Sequence, residues 1–281
     1  MTALLCALAF LSLQAWPAPL GAPIRSWHER LSAGTEESLA DVSEEVRLGR
    51  EVAARLLLRY GPCDRPALAR YVDLVGRSLA ENSSRPELSM HFVLLDSEEA
   101  AAFAAPGGYV LVTRGALESM RDEAELAGVL AHELSHVARR HLGAELDRRG
   151  NSTERVSGLL RLLGTSPDAK HAALADRTEQ SLDILLQSGL PREADAQADR
   201  DAVMLVALAG YDPSGLQRWL ERRSGLKDAK ASALDRTHPP ARDRVGWVKD
   251  AIAQNGLAGR PLAASLSRFL EAVNGPARPG E

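Results

Sequence analysis

Residues 122–137 read DEAELAGVLAHELSHV and have the clearest structural pattern in the chain. Asp122 stands three residues before Glu125, which is the spacing of a capping box at the first turn of an α-helix. The apolar residues that follow recur every three or four positions, which is the period of a helix with one buried face. The stretch therefore predicts a core helix, whose buried face consists of Leu126, Val129, Leu130, Leu134 and Val137.

The second half of this helix contains the motif His132-Glu133-Leu134-Ser135-His136. The two histidines are four positions apart, so one helical face presents both imidazoles to a common point, as a metal ion requires. Glu133 lies about 100° further round the helix, where it can reach a water molecule at the metal without being a ligand. The alternative is a set of solvated surface side chains. The apolar residues just before the motif favour a buried helix instead, where unpaired histidines are costly.

Residues 191–199, PREADAQAD, predict a second helix that carries carboxylates. Pro191 suits the first turn of this helix, and Gly210 suits its C-terminal end. Asp195 and Asp199 are four positions apart on one face, so one can complete a metal site while the other orients an imidazole N–H. The alternative for this pair is a solvated acidic helix face.

The composition is that of a globular protein and excludes several other classes. Of 281 residues, 45% are hydrophobic and 26% charged, which excludes a disordered chain and a multi-span membrane protein. The net charge of -4 offers no basic surface for a nucleic acid. Cys6 and Cys63 are the only cysteines, so a disulfide framework and a thiolate metal site are excluded. Any metal must therefore be held by nitrogen and oxygen atoms.

The two ends of the chain differ from its middle. Residues 1–22 predict a secretory signal peptide, and an uncleaved N-terminal anchor is the alternative. Residues 23–42 are polar and mixed, as in a linker, and residues 274–281 predict a flexible tail. A single domain is expected over residues 43–273. We therefore expect an exported protein, located in the periplasm or elsewhere in the cell envelope.

The periodicity of this domain predicts an α+β fold that is mostly helical around a small sheet. Helical spacing runs from Ser43 to Tyr60 and from Pro66 to Ala80. β-Branched and aromatic residues predict strands at 88–95 and at Tyr109–Thr113, the second of them after the turn Pro106-Gly107-Gly108. Helical patterns then dominate to the end of the domain.

Four separated motifs, in matching order, resemble the zinc metallopeptidases of the HtpX and CAAX-prenyl-protease type. These are the gluzincins of metallopeptidase family forty-eight, and the resemblance spans residues 43–248. The motifs are FAAPGGYVLVT at 103–113, the lead EAELAGVLA at 123–131 into HELSH, AGYDP at 209–213, and THPP at 237–240 with Arg244 after it.

The resemblance implies a zincin-like metallopeptidase domain that binds one zinc ion per chain. His132 and His136 match the first two ligands of the family, and Asp195 stands where the family has a ligand glutamate. Aspartate is an established zinc ligand but has a shorter side chain, so Glu193 is the alternative third ligand. Ala101 replaces the asparagine that the family has before AFA, which leaves the role of that side chain open.

The implied reaction is the hydrolysis of peptide bonds within a protein chain. Glu133 is expected to take a proton from the attacking water and to return it to the leaving amine. His238 is the candidate for stabilising the oxyanion, or for occupying the open coordination position in a resting form. The strand Tyr109–Thr113 is expected to be the sheet edge that flanks the zinc and pairs with an extended substrate. Residues 142–190 are the candidate cover of the site.

The expected substrates are unfolded or misassembled proteins, in quality control of the cell envelope, because backbone pairing tolerates many side chains. No nucleic-acid partner is expected, whereas association with a membrane surface and the oligomeric state stay open. The alternative function is a weak or inactive metallopeptidase-like domain that acts as a chaperone or binding factor. His141 lies off the ligand face, where we expect it to cap a helix or to contact another helix, and it has no predicted chemical role.

Overall fold

The computed structural model describes residues 39–150, 167–225, 232–260 and 262–274, all within one compact unit, Thr35–Glu281. The predicted leader at 1–22 and nearly all of the predicted tail at 274–281 lie outside these ranges. In chain order the helices are α1 (Leu39–Tyr60), α2 (Pro66–Ala80), α3 (Arg114–Glu118), α4 (Glu123–Ala138), α5 (His141–Arg149), α6 (Pro167–Asp183), α7 (Arg192–Leu208), α8 (Gly215–Ser224), α9 (Ala233–Thr237), α10 (Ala241–Gln254) and α11 (Leu266–Asn274).

Helix α4 is the central element of the fold. Asp122 caps it as predicted, since its side chain accepts a hydrogen bond from the Glu125 N–H. Residues 123–137 are all buried because α2, α7, α8 and the sheet pack around the helix. Leu126, Leu130 and Leu134 have no exposed surface, and burial of such a side chain stabilises a fold by about 1.5–3 kcal/mol. The metal-binding motif is therefore built into the core.

The described residues form a sheet of three strands that packs against α4. Its strands are β1 (His91–Leu95), β2 (Ala102–Ala105) and β3 (Tyr109–Thr113), in the spatial order β1-β3-β2. β3 pairs parallel with β1 and antiparallel with β2. The expectation that Tyr109–Thr113 forms the edge beside the metal site is wrong, because β3 is the central strand. β2 lies at that edge instead, and the alanine-rich sequence gave no strand pattern from which to predict it.

Helix α1 holds the turn between β2 and β3. It begins at Leu39, earlier than the predicted start at Ser43, and Asp41 lies in its first turn, where a negative charge is favourable. A Cβ atom at Gly49 would come within 1.7 Å of the Pro106 carbonyl oxygen, so only glycine permits this approach. The Glu45 carboxylate accepts a hydrogen bond from the Gly107 N–H at 3.1 Å. These contacts fix the position of the turn.

Crossing a bilayer requires a helix of about 20 predominantly apolar residues. None of the described helices is both long and apolar enough to do so.

Candidate metal centre

The two histidines of the HELSH motif meet at one point, as predicted. The Nε2 atoms of His132 and His136 are 3.1 Å apart, and both side chains are buried. This convergence follows from their spacing on α4, because residues four positions apart lie on the same helical face.

Asp195, on α7, faces the same point. Its Oδ1 atom is 3.7 Å from the His132 Nε2 and 3.8 Å from the His136 Nε2. Both carboxylate oxygens are buried and have no hydrogen-bond partner among the described residues. Glu193, the alternative third ligand, lies elsewhere: its carboxylate accepts a hydrogen bond from Arg200 at 2.9 Å and is exposed. Of the two candidates, only Asp195 is within reach of both imidazoles.

His238, which follows α9, completes the cluster. Its Nε2 atom is 3.7 Å from the Asp195 Oδ1 and 3.9 Å from the Glu133 Oε1. On the other side of the ring, Nδ1 lies 3.2 Å from the Leu234 carbonyl oxygen, which can only accept a hydrogen bond. Nδ1 therefore carries the proton in that contact, and Nε2 presents its lone pair to the cluster. Potential ligand atoms of four residues lie within 4.8 Å of one another: His132, His136, Asp195 and His238.

The orientation of His132 is set by a buried ion pair. The Asp199 Oδ1 lies 2.9 Å from the His132 Nδ1, which is the arrangement predicted for one of the two aspartates of α7. Arg244, on α10, donates to both oxygens of Asp199, at 2.7 and 3.0 Å. In the sequence, Arg244 is recognisable only as part of a motif. Its partner, Asp199, cannot be identified from the sequence because the contact depends on the packing of α10 against α7.

His136 is held in a different way. Its Nδ1 lies 2.9 Å from the Nδ1 of His141, and the Nε2 of His141 lies 3.1 Å from the Gln197 side-chain oxygen. His141 therefore contacts another helix, α7, as expected, but it also contacts a ligand candidate. No sequence pattern singled out Gln197.

Burial of the histidines favours their neutral form, which is the form that binds metals. It lowers the pKa of His132 and His136 well below the ordinary value, and it lowers the pKa of His238 to about 3. The positive charge of Arg244 acts in the same direction at all three rings. Burial also lowers the pKa of His141.

The two carboxyl groups at the centre shift in the opposite direction. Burial raises the pKa of Glu133 to about 8 and that of Asp195 to about 7, although the charge of Arg244 opposes both shifts. The Oε1 of Glu133, like both oxygens of Asp195, is buried without a hydrogen-bond partner among the described residues. Buried carboxylates without partners are costly unless a cation balances them. The cluster therefore fits a divalent cation, and its nitrogen and oxygen ligands suit zinc.

A pocket opens beside this cluster along β2. Its polar lining consists of Glu133, Thr237 and three residues of the cluster. Its apolar wall includes residues of β2 and of the segment after α6, which begins with a π-helical turn at Ile184–Ser188. Part of the predicted cover at 142–190 thus lies at the site, while residues 151–166 are outside the described ranges. The lining residues are Ala102, Phe103, Ala104, Glu133, His136, Ile184, Leu185, Gly189, Leu190, Asp195, Thr237 and His238.

The sequence was compared with those of known proteins. The "Beta-barrel assembly-enhancing protease" of Escherichia coli is 25% identical over 233 residues, which are 78% of this chain and 47% of that protein. The "Putative beta-barrel assembly-enhancing protease" of Vibrio cholerae is 30% identical over 198 residues, which are 67% of this chain and 40% of that protein. The "Mitochondrial metalloendopeptidase OMA1" of Schizosaccharomyces pombe is 27% identical over 219 residues, or 75% of this chain and 61% of that protein. The chain spans about half the length of the bacterial relatives that it matches.

The family comparison agrees with these relatives. The pattern of "Peptidase family M48" matches residues 66–252, a range that includes all four ligand candidates. This confirms the predicted family, which is one of zinc-dependent peptidases, and the mostly helical zincin-like fold. The chain belongs to peptidase family M48.

Proposed function

We propose that this chain is a zinc metalloendopeptidase whose metal ligands are His132, His136 and Asp195. The observation that carries the proposal is the convergence of these side chains, with ligand atoms within 4.8 Å, around carboxylate oxygens that have no partner among the described residues. A cluster with a purely structural role would not need unpaired carboxylates, since polar groups in a folded core normally have hydrogen-bond partners.

Zinc in such a site supplies a Lewis acid that acidifies water and polarises a carbonyl group. Glu133 is the general base that takes the proton from the attacking water and then gives it to the leaving amine. Its position supports this role, because it borders the same pocket as His136 and Asp195 and its Oε1 has no competing partner among the described residues. Asp199 and Arg244 hold the His132 ring so that its Nε2 faces the cluster.

The edge of β2 that pairs with no other strand among the described residues is the proposed binding site for the substrate backbone. The Thr113 N–H donates to the Ala101 carbonyl oxygen at 3.0 Å. Alternation along an antiparallel strand then directs the N–H and C=O groups of Ala102 and Ala104 away from β3. Both residues line the pocket that contains Glu133. An extended peptide could therefore add to the sheet as a further strand and place a peptide bond beside the general base.

His238 is assigned to the fourth ligand position when no substrate is bound. Its Nε2 faces Asp195, as the Nε2 atoms of His132 and His136 do, and its Nδ1 is held by the Leu234 carbonyl. A zinc peptidase needs an open position for water and substrate, so His238 has to move aside before the reaction. The second predicted role, stabilising the oxyanion, would require it to remain nearby.

The proposed substrates are unfolded or misassembled proteins of the cell envelope. Support comes from the names of the bacterial relatives, which refer to β-barrel assembly, and from the predicted signal peptide at residues 1–22. The apolar wall of the pocket, with Phe103, Ile184 and Leu185, suits segments that become exposed only when a protein is not folded.

The test is to purify the protein, measure zinc by mass spectrometry and follow cleavage of unfolded casein. We expect about one zinc per chain and cleavage that Asp195→Ala abolishes together with zinc binding. Glu193→Ala, which removes the exposed carboxylate of the same helix, is the matched control and should retain both. A wild-type protein that binds no zinc and cleaves nothing would refute the proposal and favour the chaperone alternative.

A further inference from the structure

We propose that His141, held by Gln197, is a positioning residue that fixes the tautomer and ring orientation of the metal ligand His136. This role rests on the proposed zinc site. His141 and Gln197 both lie outside the family-like motifs of the sequence. We thus assign to His141 a role toward the metal that the spacing of the HELSH motif does not indicate.

The backbone between α4 and α5 brings His141 to this place. Arg140 has a left-handed conformation, with φ of 56° and ψ of 34°, which is uncommon for a residue other than glycine. This residue separates α4, which ends at Ala138, from α5, which begins at His141, and the His141 ring lies against that of His136 in the last turn of α4. The two rings lie edge to face, with centroids 4.9 Å apart.

The proton arrangement follows from the donors and acceptors. The Gln197 side-chain oxygen can only accept, so the proton of a neutral His141 lies on Nε2, 3.1 Å away. The Nδ1 of His141 then has a lone pair and accepts a hydrogen bond from the His136 Nδ1–H at 2.9 Å. His136 is thereby fixed with a bare Nε2, the atom that faces His132 and Asp195. This is the tautomer that a metal requires at that position.

Helix α7 thus acts on both ligand histidines of α4. Through Asp199 it orients His132 with a charged acceptor, and through Gln197 and His141 it orients His136 with a neutral one. The same helix supplies the third ligand candidate, Asp195. The packing of α7 against α4 consequently sets the ligand geometry as a whole, before any metal binds.

The first test measures zinc affinity by competition with a chromophoric chelator, which does not depend on catalysis. His141→Phe keeps a ring of similar size but removes the acceptor, and we expect it to weaken zinc binding by about 10- to 100-fold, as for other contacts of this kind. His141→Asn places a side-chain oxygen close to the position of Nδ1 and should restore much of the affinity. His91→Phe, at an exposed ring stacked on Tyr109, is the control and should bind zinc like the wild type.

The second test reads the tautomer directly in the zinc-free protein, by two-bond ¹⁵N–¹H correlation of the histidine rings. We expect the His136 proton on Nδ1 in the wild type and a mixture of tautomers in His141→Phe. Gln197→Leu leaves His141 in place but removes the acceptor for its Nε2 proton, so it should change the tautomer populations of His141. This variant replaces His141→Phe in the test if the phenylalanine variant does not fold. Unchanged zinc affinity and an unchanged His136 tautomer in a folded His141→Phe protein would overturn the inference. Absence of zinc binding by the wild type would instead refute the proposed function. The tautomer measurement on the zinc-free protein would still decide whether His141 fixes the His136 tautomer.

Discussion

The two ends of helix α4 carry buried carboxylates in opposite situations. At its N-terminal end, Glu123 accepts hydrogen bonds from Tyr71 and Arg268, and Glu125 accepts hydrogen bonds from Arg222 and from the Arg121 N–H. Toward its C-terminal end, Glu133 is equally buried, but its Oε1 has no partner among the described residues. The first two groups are saturated by arginine, whereas the third is left available for a reaction.

This difference separates structural from functional carboxylates within one helix. Burying a charge is unfavourable unless partners compensate for it, so a saturated carboxylate can stabilise the fold while an unsaturated one lowers its stability. Glu133 and Asp195, which lies on α7, are both unsaturated in this sense. Because they do not stabilise the fold, we infer that their role is chemical. Four substitutions test the comparison.

The largest expected effect is the loss of activity in Glu133→Gln. Removing the general base should lower kcat by about 10²- to 10⁴-fold, which is the usual contribution of acid–base catalysis. Zinc content should stay close to that of the wild type, and the midpoint of thermal unfolding should be equal or higher, because the amide removes a buried charge whose Oε1 makes no hydrogen bond to the described residues. A variant that keeps more than a tenth of the activity in a casein cleavage assay would contradict the assignment of Glu133.

The second effect concerns stability and is expected from Arg244→Met. The substitution removes the partner of the fully buried Asp199 and leaves its charge without compensation. Breaking a buried ion pair in this way costs about 3–5 kcal/mol, which urea unfolding of the zinc-free protein would measure. Arg244→Lys keeps the charge and should lose less. An unfolding free energy like that of the wild type in both variants would show that this pair contributes nothing.

A smaller loss of stability is expected from Glu125→Gln, at the saturated end of α4. The amide keeps the shape but weakens the hydrogen bonds to Arg222 and to the Arg121 N–H, at a cost of about 1–3 kcal/mol. Activity of the folded protein at 25 °C should be unchanged. Glu118→Gln, in an exposed pair with Arg114, is the control and should cost less than about 1 kcal/mol. Loss of activity in the folded Glu125→Gln protein would break the distinction between the two ends of the helix.

The smallest effect is expected from His238→Ala. If this side chain occupies the fourth ligand position at rest, its removal makes the open form more populated and should raise turnover of a short peptide by about two- to tenfold. Zinc should bind somewhat less tightly, which the same chelator competition would record. A large decrease of kcat with zinc retained would assign His238 to the oxyanion instead.

Much of the centre could be predicted because it depends on spacing within single helices. The bounds of α2 and β3 agree with the predicted ones, and the convergence of His132, His136 and Asp195 follows from the four-residue period of a helix and from matching a family pattern. What could not be predicted depends on contacts between distant segments.

Strand β2 shows this limit most clearly. Its sequence, Ala102-Phe103-Ala104-Ala105, has neither alternation nor β-branched residues, and alanine is disfavoured in strands. It is a strand because β3 pairs with it. The contact between His141 and Gln197 also joins residues far apart in sequence, so nothing in the local pattern indicates a role for His141 beyond a helix cap or a contact with another helix.

The contact of α1 with the turn at residues 106–108 should affect amide hydrogen exchange at Gly107. The Gly107 N–H is buried and donates to Glu45 of α1, outside the pairing of the sheet strands. Its exchange therefore requires that α1 move away from the turn, whereas exchange of the β3 amides requires that the sheet open. The protection of this single amide consequently reports how firmly α1 supports the proposed substrate-binding edge, in a protein without metal or substrate.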